Sequence, residues 1–284
     1  MIGSFLLLIL AMISIQTGAS FAKNLFPLAG AAGTTALRLF FATIILWSIW
    51  RPWRTKLQKL DLKYLAIYGS ALGFMNLTFY FALERIPLGL AVTLEFIGPL
   101  ALSIFLSRKK IDFFWAILAG VGIYMVMPAS ELSKGLDPIG IFFALFAGFF
   151  WAFYIFFGQK ASRNIHEGTA TSIGMAFAAL VVIPFGLGID GSKLLDVNIL
   201  PMGLFVAVLS SALPYTLEMY SLKKMPTKTF GILMSLEPAV ALIVGIIFLH
   251  ETLNFIQCIA IICVITASLG SSLTSKKPVA ATEV

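Results

Sequence analysis

The sequence predicts an all-α integral membrane protein of ten transmembrane helices, arranged as two inverted five-helix repeats. Three observations carry that prediction. The 284 residues are 60% hydrophobic and 12% charged, with a mean hydropathy of +0.98, whereas soluble domains carry about 25% charged residues. Apolar runs long enough to cross a hydrocarbon core of roughly 30 Å recur along the whole chain. An offset of 139 residues lays one half on the other, putting Pro226 on Pro87, Pro238 on Pro99 and Glu251 on Asp112.

The first run, Ser4–Phe21, lacks a basic leader and a clear cleavage site, so it reads as a retained span and not a signal peptide. Thr34–Trp50, Leu62–Leu83 and Leu88–Ser107 follow, and Phe113–Met127 is short and ends on Met-Pro. The second set is Pro138–Gly158, Thr169–Gly188, Ile199–Tyr220, Thr227–Leu249 and Phe255–Leu273, with Thr169, Thr171 and Ser172 diluting the second of these. The repeats are therefore drawn as residues 1–134 and 135–275, with a tail at 276–284.

Alternate loops are basic. Arg51, Arg54, Lys56, Lys59 and Lys63 follow the second span, Arg108, Lys109 and Lys110 the fourth, and Lys160 and Arg163 the sixth. Lys223, Lys224 and Lys228 follow the eighth, and Lys276 and Lys277 lie in the tail. Cytoplasmic loops carry the excess of Lys and Arg, which places both termini in the cytoplasm. The formal charge of +7 is thereby explained without nucleic acid, and no basic cluster has aromatic interleaving. Because five is odd, the second half enters from the opposite side, the inverted topology common among secondary transporters.

Polar side chains at membrane depth are expensive and mark candidate sites. Glu237, followed by Pro238, lies near the middle of the ninth span. Proline removes a helix donor and frees the carbonyl four residues back, so Pro99, Pro214 and Pro238 are expected helix breaks. Gln16, Ser20 and Lys23 share one face of the first span at helical spacing, with Lys23 placed to snorkel to the outer interface. Arg38 and Glu95 lie at similar depths from the outer side, by rise per residue, and are expected to be neighbours, as a structural pair or as opposite ends of a zwitterion site. Asn76 and Tyr80 are one turn apart on the third span, and Trp151 and Tyr154 form an aromatic stripe on the sixth. Ser211, Tyr215 and Glu218 share a face of the eighth, where the nearby lysines compete for Glu218 as an interfacial anchor.

Enzyme readings find little support. His166 and His250 fall on opposite sides of the membrane, so they do not form a two-histidine metal site. There is no glycine-rich phosphate loop, and no Ser/His/Asp set shares one depth. Cys258 and Cys263 lie in one apolar segment and read as packing residues. No cofactor, metal or catalytic residue is expected.

At this point the residues carry a family. The five-plus-five plan, the Glu237-Pro238 pair and the following FLHETL resemble the drug/metabolite transporter superfamily, EamA type. So do Ile15–Leu39, Pro87–Ala101, Leu209–Met219, Met225–Ala239 and Ser268–Thr274. His250, where a small residue is expected, departs from the pattern. The resemblance implies a bacterial inner-membrane protein that exports small hydrophilic amino acids, threonine and homoserine first, driven by the proton gradient. A zwitterion needs a cation, an anion and hydrogen-bonding groups. Arg38 or Lys23, Glu95 or Glu237, and Gln16, Asn76 and Tyr215 supply them, with Glu237 first for the proton and Glu95 for the ammonium group. Tyr80, Trp151, Tyr154 and Glu218 complete the candidate substrate-binding set. Two alternatives stand beside this: an exporter or importer of another metabolite or drug, and a membrane receptor or scaffold without transport.

Overall fold

Long apolar runs leave the backbone with no partner in lipid except itself, so they close into helices. Among the described residues every regular element of the computed structural model is helical. The structure describes residues 2–106, 110–126, 137–161, 165–191, 193–224 and 233–274. The boundary at 134, the tail at 276–284 and the start of the ninth span, with Pro226 and Lys228, lie outside them.

The first half comprises α1 (Ile2–Ala29), α2 (Ala31–Trp50), α3 (Lys59–Leu83), α4 (Leu88–Glu95), α5 (Ile97–Leu106) and α6 (Lys110–Val126). The second comprises α7 (Pro138–Ala161), α8 (Glu167–Asp190), α9 (Leu200–Ala207), a π-helical turn at Val208–Ala212, α10 (Leu213–Lys224), α11 (Glu237–Leu249) and α12 (Phe255–Thr274). Among the described residues six segments are long and apolar enough to cross a membrane: Phe5–Ala29, Ala31–Trp50, Lys59–Leu83, Pro138–Gly158, Glu167–Asp190 and Val197–Glu218. Shorter apolar helices lie at Leu88–Leu102, Phe113–Gly122, Glu237–Leu249 and Phe255–Ala267.

Two departures from the sequence reading bear on the interior. α1 continues past Phe21 through Lys23 and Asn24, so Lys23 is a helical residue. It stops only at Gly30, whose φ of 68° is a conformation in which a Cβ is disfavoured, and where a Cβ would also overlap the Asp190 carboxylate. The fourth predicted span is two helices, interrupted at Phe96 between α4 and α5. Pro99 has no N–H to give to the Glu95 carbonyl. The freed carbonyl abuts Gly148 of α7, and a Cβ on Gly98 would overlap the Gly148 backbone. Before Pro238 the chain likewise turns at Ser235 and Leu236, with Leu236 N–H donating to Leu233 O at 3.0 Å. Before Pro214 the helix widens into the π turn, where Leu213 N–H reaches Val208 O.

Helices of the two halves interleave. α3 lies along α7 and α8, α2 along α8 and α9, and α1 along α9, the π turn, α10 and α11. α4 packs on α7 and α11, and α6 on α12. One apolar core joins Ala22, Tyr80, Leu90, Ala144 and Ala241; another joins Leu39, Leu72, Met175 and Ala207. The perimeter is apolar too: Phe142, Phe146, Phe149, Phe153 and Phe156 of α7 are exposed, the surface expected to face lipid.

The end of the bundle that carries the α1–α2 corner is fastened by carboxylates. Asp190 accepts from Gly33 N–H of α2 at 3.1 Å and pairs with Lys193 at 3.5 Å. Glu251 accepts from Leu88 N–H of α4 at 2.9 Å and pairs with Lys23 of α1 at 3.1 Å. Each acid serves the first turn of a helix in the other half, where unpaired N–H groups and the macrodipole favour an anion. Arg85 and Asp137 bridge at 2.8 Å, and this hydrogen bond holds the exposed Asp137 carboxyl below the usual aspartate range.

Candidate functional site

The breaks in α4–α5 and at the head of α11 put two acids inside the bundle. Glu95 closes α4 and Glu237 opens α11. They are 7% and 5% exposed. A first-turn acid suits the helix dipole, and Glu237 is further fixed by Gln16 of α1. The Gln16 amide Nε2 donates to Glu237 Oε1 at 3.0 Å across 221 residues of sequence. The other carboxylate oxygen, Oε2, is buried without a protein partner among the described residues. Ser14, two residues before Gln16, donates to Leu209 O of the π turn at 2.6 Å, so α1 is tied to both helix interruptions of the second half.

Among the described residues Arg38 is the buried cation, 2% exposed on α2. It is not ion-paired with Glu95. A guanidinium nitrogen donates to Asn76 Oδ1 of α3, and the guanidinium carbon lies 4.6 Å from the centre of the Tyr80 ring. Asn76 is oriented in turn by donating its Nδ2 to Leu72 O at 2.8 Å. Glu95 lies within electrostatic range of both Arg38 and Glu237. Glu95 thus links Arg38 and Glu237 into one interior group, while the guanidinium itself is held by neutral partners, Asn76 and Tyr80.

The other predicted residues divide in two. Tyr215 is buried on α10, in range of Arg38 and Glu218, and Glu218 is in range of Glu237. These extend the cluster toward the end of the bundle opposite the α1–α2 corner. Tyr154 stacks on Tyr68 with ring centres 5.0 Å apart, and Trp151 packs edge-on to Phe96 at 5.3 Å, beside the α4–α5 break. Lys23 is the exception. Its ammonium is held by Glu251 at the end of the bundle, away from the Glu237 cluster.

Sequence reasoning missed several contributors. Thr34 is buried, with a hydroxyl lacking a protein partner among the described residues. Thr34 was legible as one turn before Arg38 on the same helix face. Asp190 and Glu251 were visible as lone acids at span ends, but their targets on α2 and α4 were not. Among the described residues no group of three His, Cys, Asp or Glu side chains could hold a metal ion.

Residues 138–273 match the EamA-like transporter family. The threonine/homoserine exporter RhtA of Escherichia coli K12 is 48% identical over 95% of this chain and 92% of its own length. The protein of the same name from Salmonella typhimurium LT2 is 48% identical over 96% and 92%. An uncharacterized transporter of Archaeoglobus fulgidus is 28% identical over 79% of this chain and 80% of that one. A solved crystal structure superposes with a TM-score of 0.52 at 14% identity, over 93% of this chain and 98% of that one; at that identity the likeness concerns the fold.

Proposed function

The chain belongs to the EamA-like transporter family, and on that premise we propose that it exports small hydrophilic amino acids, threonine and homoserine first, from the cytoplasm in exchange for protons. The observation that carries this reading is the burial of one cation, Arg38, with two carboxylates, Glu95 and Glu237, in a chain so similar to relatives named as threonine/homoserine exporters. A zwitterion crossing a membrane needs both signs of charge inside the protein, because lipid offers neither.

The fold reading supports alternating access. Exchanging the two halves pairs the first segment with the sixth, the second with the seventh, and so on to the tenth. Under that exchange the α3–α7 contact becomes α9 and α10 with α1, α3–α8 becomes α9 with α2, and α4–α7 becomes α11 with α1. All three mates are present, and α2–α8, α4–α11 and α6–α12 map onto themselves. This symmetry supports a reading of ten spans in two inverted five-helix repeats, which would rock about a midplane site. Basic loops put both termini in the cytoplasm. On that orientation the Lys23–Glu251 and Asp190 contacts lie at the outer face.

In the working cycle Glu237 carries the proton. Gln16 holds one of its oxygens and leaves Oε2 for the proton. Glu95, in range of both Arg38 and Glu237, receives the substrate ammonium. Proton entry at Glu237 weakens the negative field around Glu95 and favours release of the amino acid outward. Overexpression of the chain in a bacterium lacking its own exporters should raise growth tolerance to external threonine and homoserine. Unchanged tolerance, with the protein present in the membrane, contradicts the proposal.

A further inference from the structure

We infer that Thr34, Arg38 and Tyr80 form a built receptor for the α-carboxylate of the transported amino acid, with Asn76 as the residue that positions it. The inference deepens the proposed function and rests on it.

A buried guanidinium is costly unless its charge and its five donors are met. Arg38 meets Asn76 with one nitrogen and Tyr80 with its π face. Its Nε–H has no protein partner among the described residues, although the side chain is 2% exposed. Two more buried hydroxyls without a protein partner among the described residues belong to neighbouring positions, Thr34 and Tyr80. Long helical side chains lean toward the N-terminus of their own helix, over the preceding turn. By that tendency Thr34, one turn before Arg38, lies on the face over which the arginine extends, and its Oγ1 is buried without a protein partner among the described residues. The Tyr80 hydroxyl, on the ring that Arg38 faces, is buried and likewise unpartnered. Asn76 and Tyr80 are one turn apart on α3, so a single α3 face meets a single α2 face.

These groups offer a planar cation and two hydroxyl donors in one place. A carboxylate accepts through both oxygens and matches the guanidinium fork, which a lysine ammonium cannot imitate. The protein's own carboxylates are kept off: Glu95 is in electrostatic range of Arg38 without pairing to it, and Lys23, the other candidate cation, is occupied by Glu251. Asn76 contacts Arg38 with a neutral oxygen, so it orients the fork without discharging it. The ligand class that follows is the free α-carboxylate. Amides and esters of the same amino acids bind poorly, whatever their side chains.

The test uses the full chain, purified and reconstituted in lipid vesicles, with counterflow of labelled threonine against threonine, threoninamide and N-acetylthreonine. For the wild type, threoninamide is expected to compete at least about tenfold more weakly than threonine, the range of a lost charged hydrogen bond. Arg38→Lys should raise the apparent KM for threonine by a similar factor and narrow the gap to threoninamide. Thr34→Val and Tyr80→Phe, each deleting one hydroxyl, should raise KM several-fold with little change in maximal rate. They decide the matter if Arg38→Lys does not elute as a monodisperse folded protein. Equal competition by threonine and threoninamide, or an unchanged KM in the hydroxyl variants, overturns the receptor. Absence of wild-type counterflow overturns the proposed function itself, so the two failures are distinguishable.

Discussion

Glu237→Gln is expected to abolish the response of amino-acid efflux to an imposed proton gradient while leaving the chain folded. The glutamine keeps the shape of the side chain and an oxygen acceptor for the Gln16 amide, which now binds Oε1 at 3.0 Å. It removes the only chemical difference that matters, the ability to take up a proton at Oε2. Glu237→Leu should behave differently. It leaves the buried Gln16 amide without its acceptor, which costs about 1–3 kcal/mol, so folded yield and transport should fall together. The comparison is made in proteoliposomes by following threonine efflux at equal and unequal pH on the two sides. Retention of both efflux and its pH dependence in Glu237→Gln would transfer the proton role elsewhere, with Glu95 next in line.

Gly98→Val is expected to prevent assembly. The α5–α7 contact is a backbone-on-backbone approach, in which Gly98 faces Gly148 and Gly148 faces the Glu95 carbonyl. Small residues permit such approaches between membrane helices. Adding methyl groups to a filled contact costs about 1–3 kcal/mol, and here the obstacle is backbone, which cannot rotate away. The same shift would displace the α4–α5 break and with it Glu95. Gly188 of α8 has open space where its Cβ would go, so Gly188→Ala should be tolerated. Size-exclusion profiles and thermal unfolding in detergent separate the two outcomes. A monodisperse, fully stable Gly98→Val would show that the helices separate easily at this point.

The membrane class and the segment order were legible because hydropathy reports lipid exposure directly. Prolines were legible as well: Pro99, Pro214 and Pro238 each follow an interruption, because a missing N–H has a local consequence. The extent of α1 was not legible. Lys23 and Asn24 look like an interface, but a partner 228 residues away, Glu251, lets α1 continue through them. Arg38 shows the same limit. Its burial followed from position, and depth placed it beside Glu95. Whether it would pair with that acid depended on a competitor, Asn76, whose geometry is a property of α2–α3 packing. The Gln16–Glu237 contact was likewise invisible, since each residue was a reasonable candidate alone and only the fold brings α1 against α11. Trp151 and Tyr154 read equally well as packing or lining. The structure gives both residues aromatic neighbours close to the interior cluster.

The central claim is that this chain moves threonine and homoserine across a membrane, and solute counterflow tests it most directly. Purified protein in vesicles preloaded with unlabelled threonine is diluted into a trace of labelled threonine. Label should accumulate transiently above its equilibrium level, and external homoserine should suppress the accumulation. Label that rises no higher than in protein-free vesicles, with the protein folded and inserted, would contradict the account.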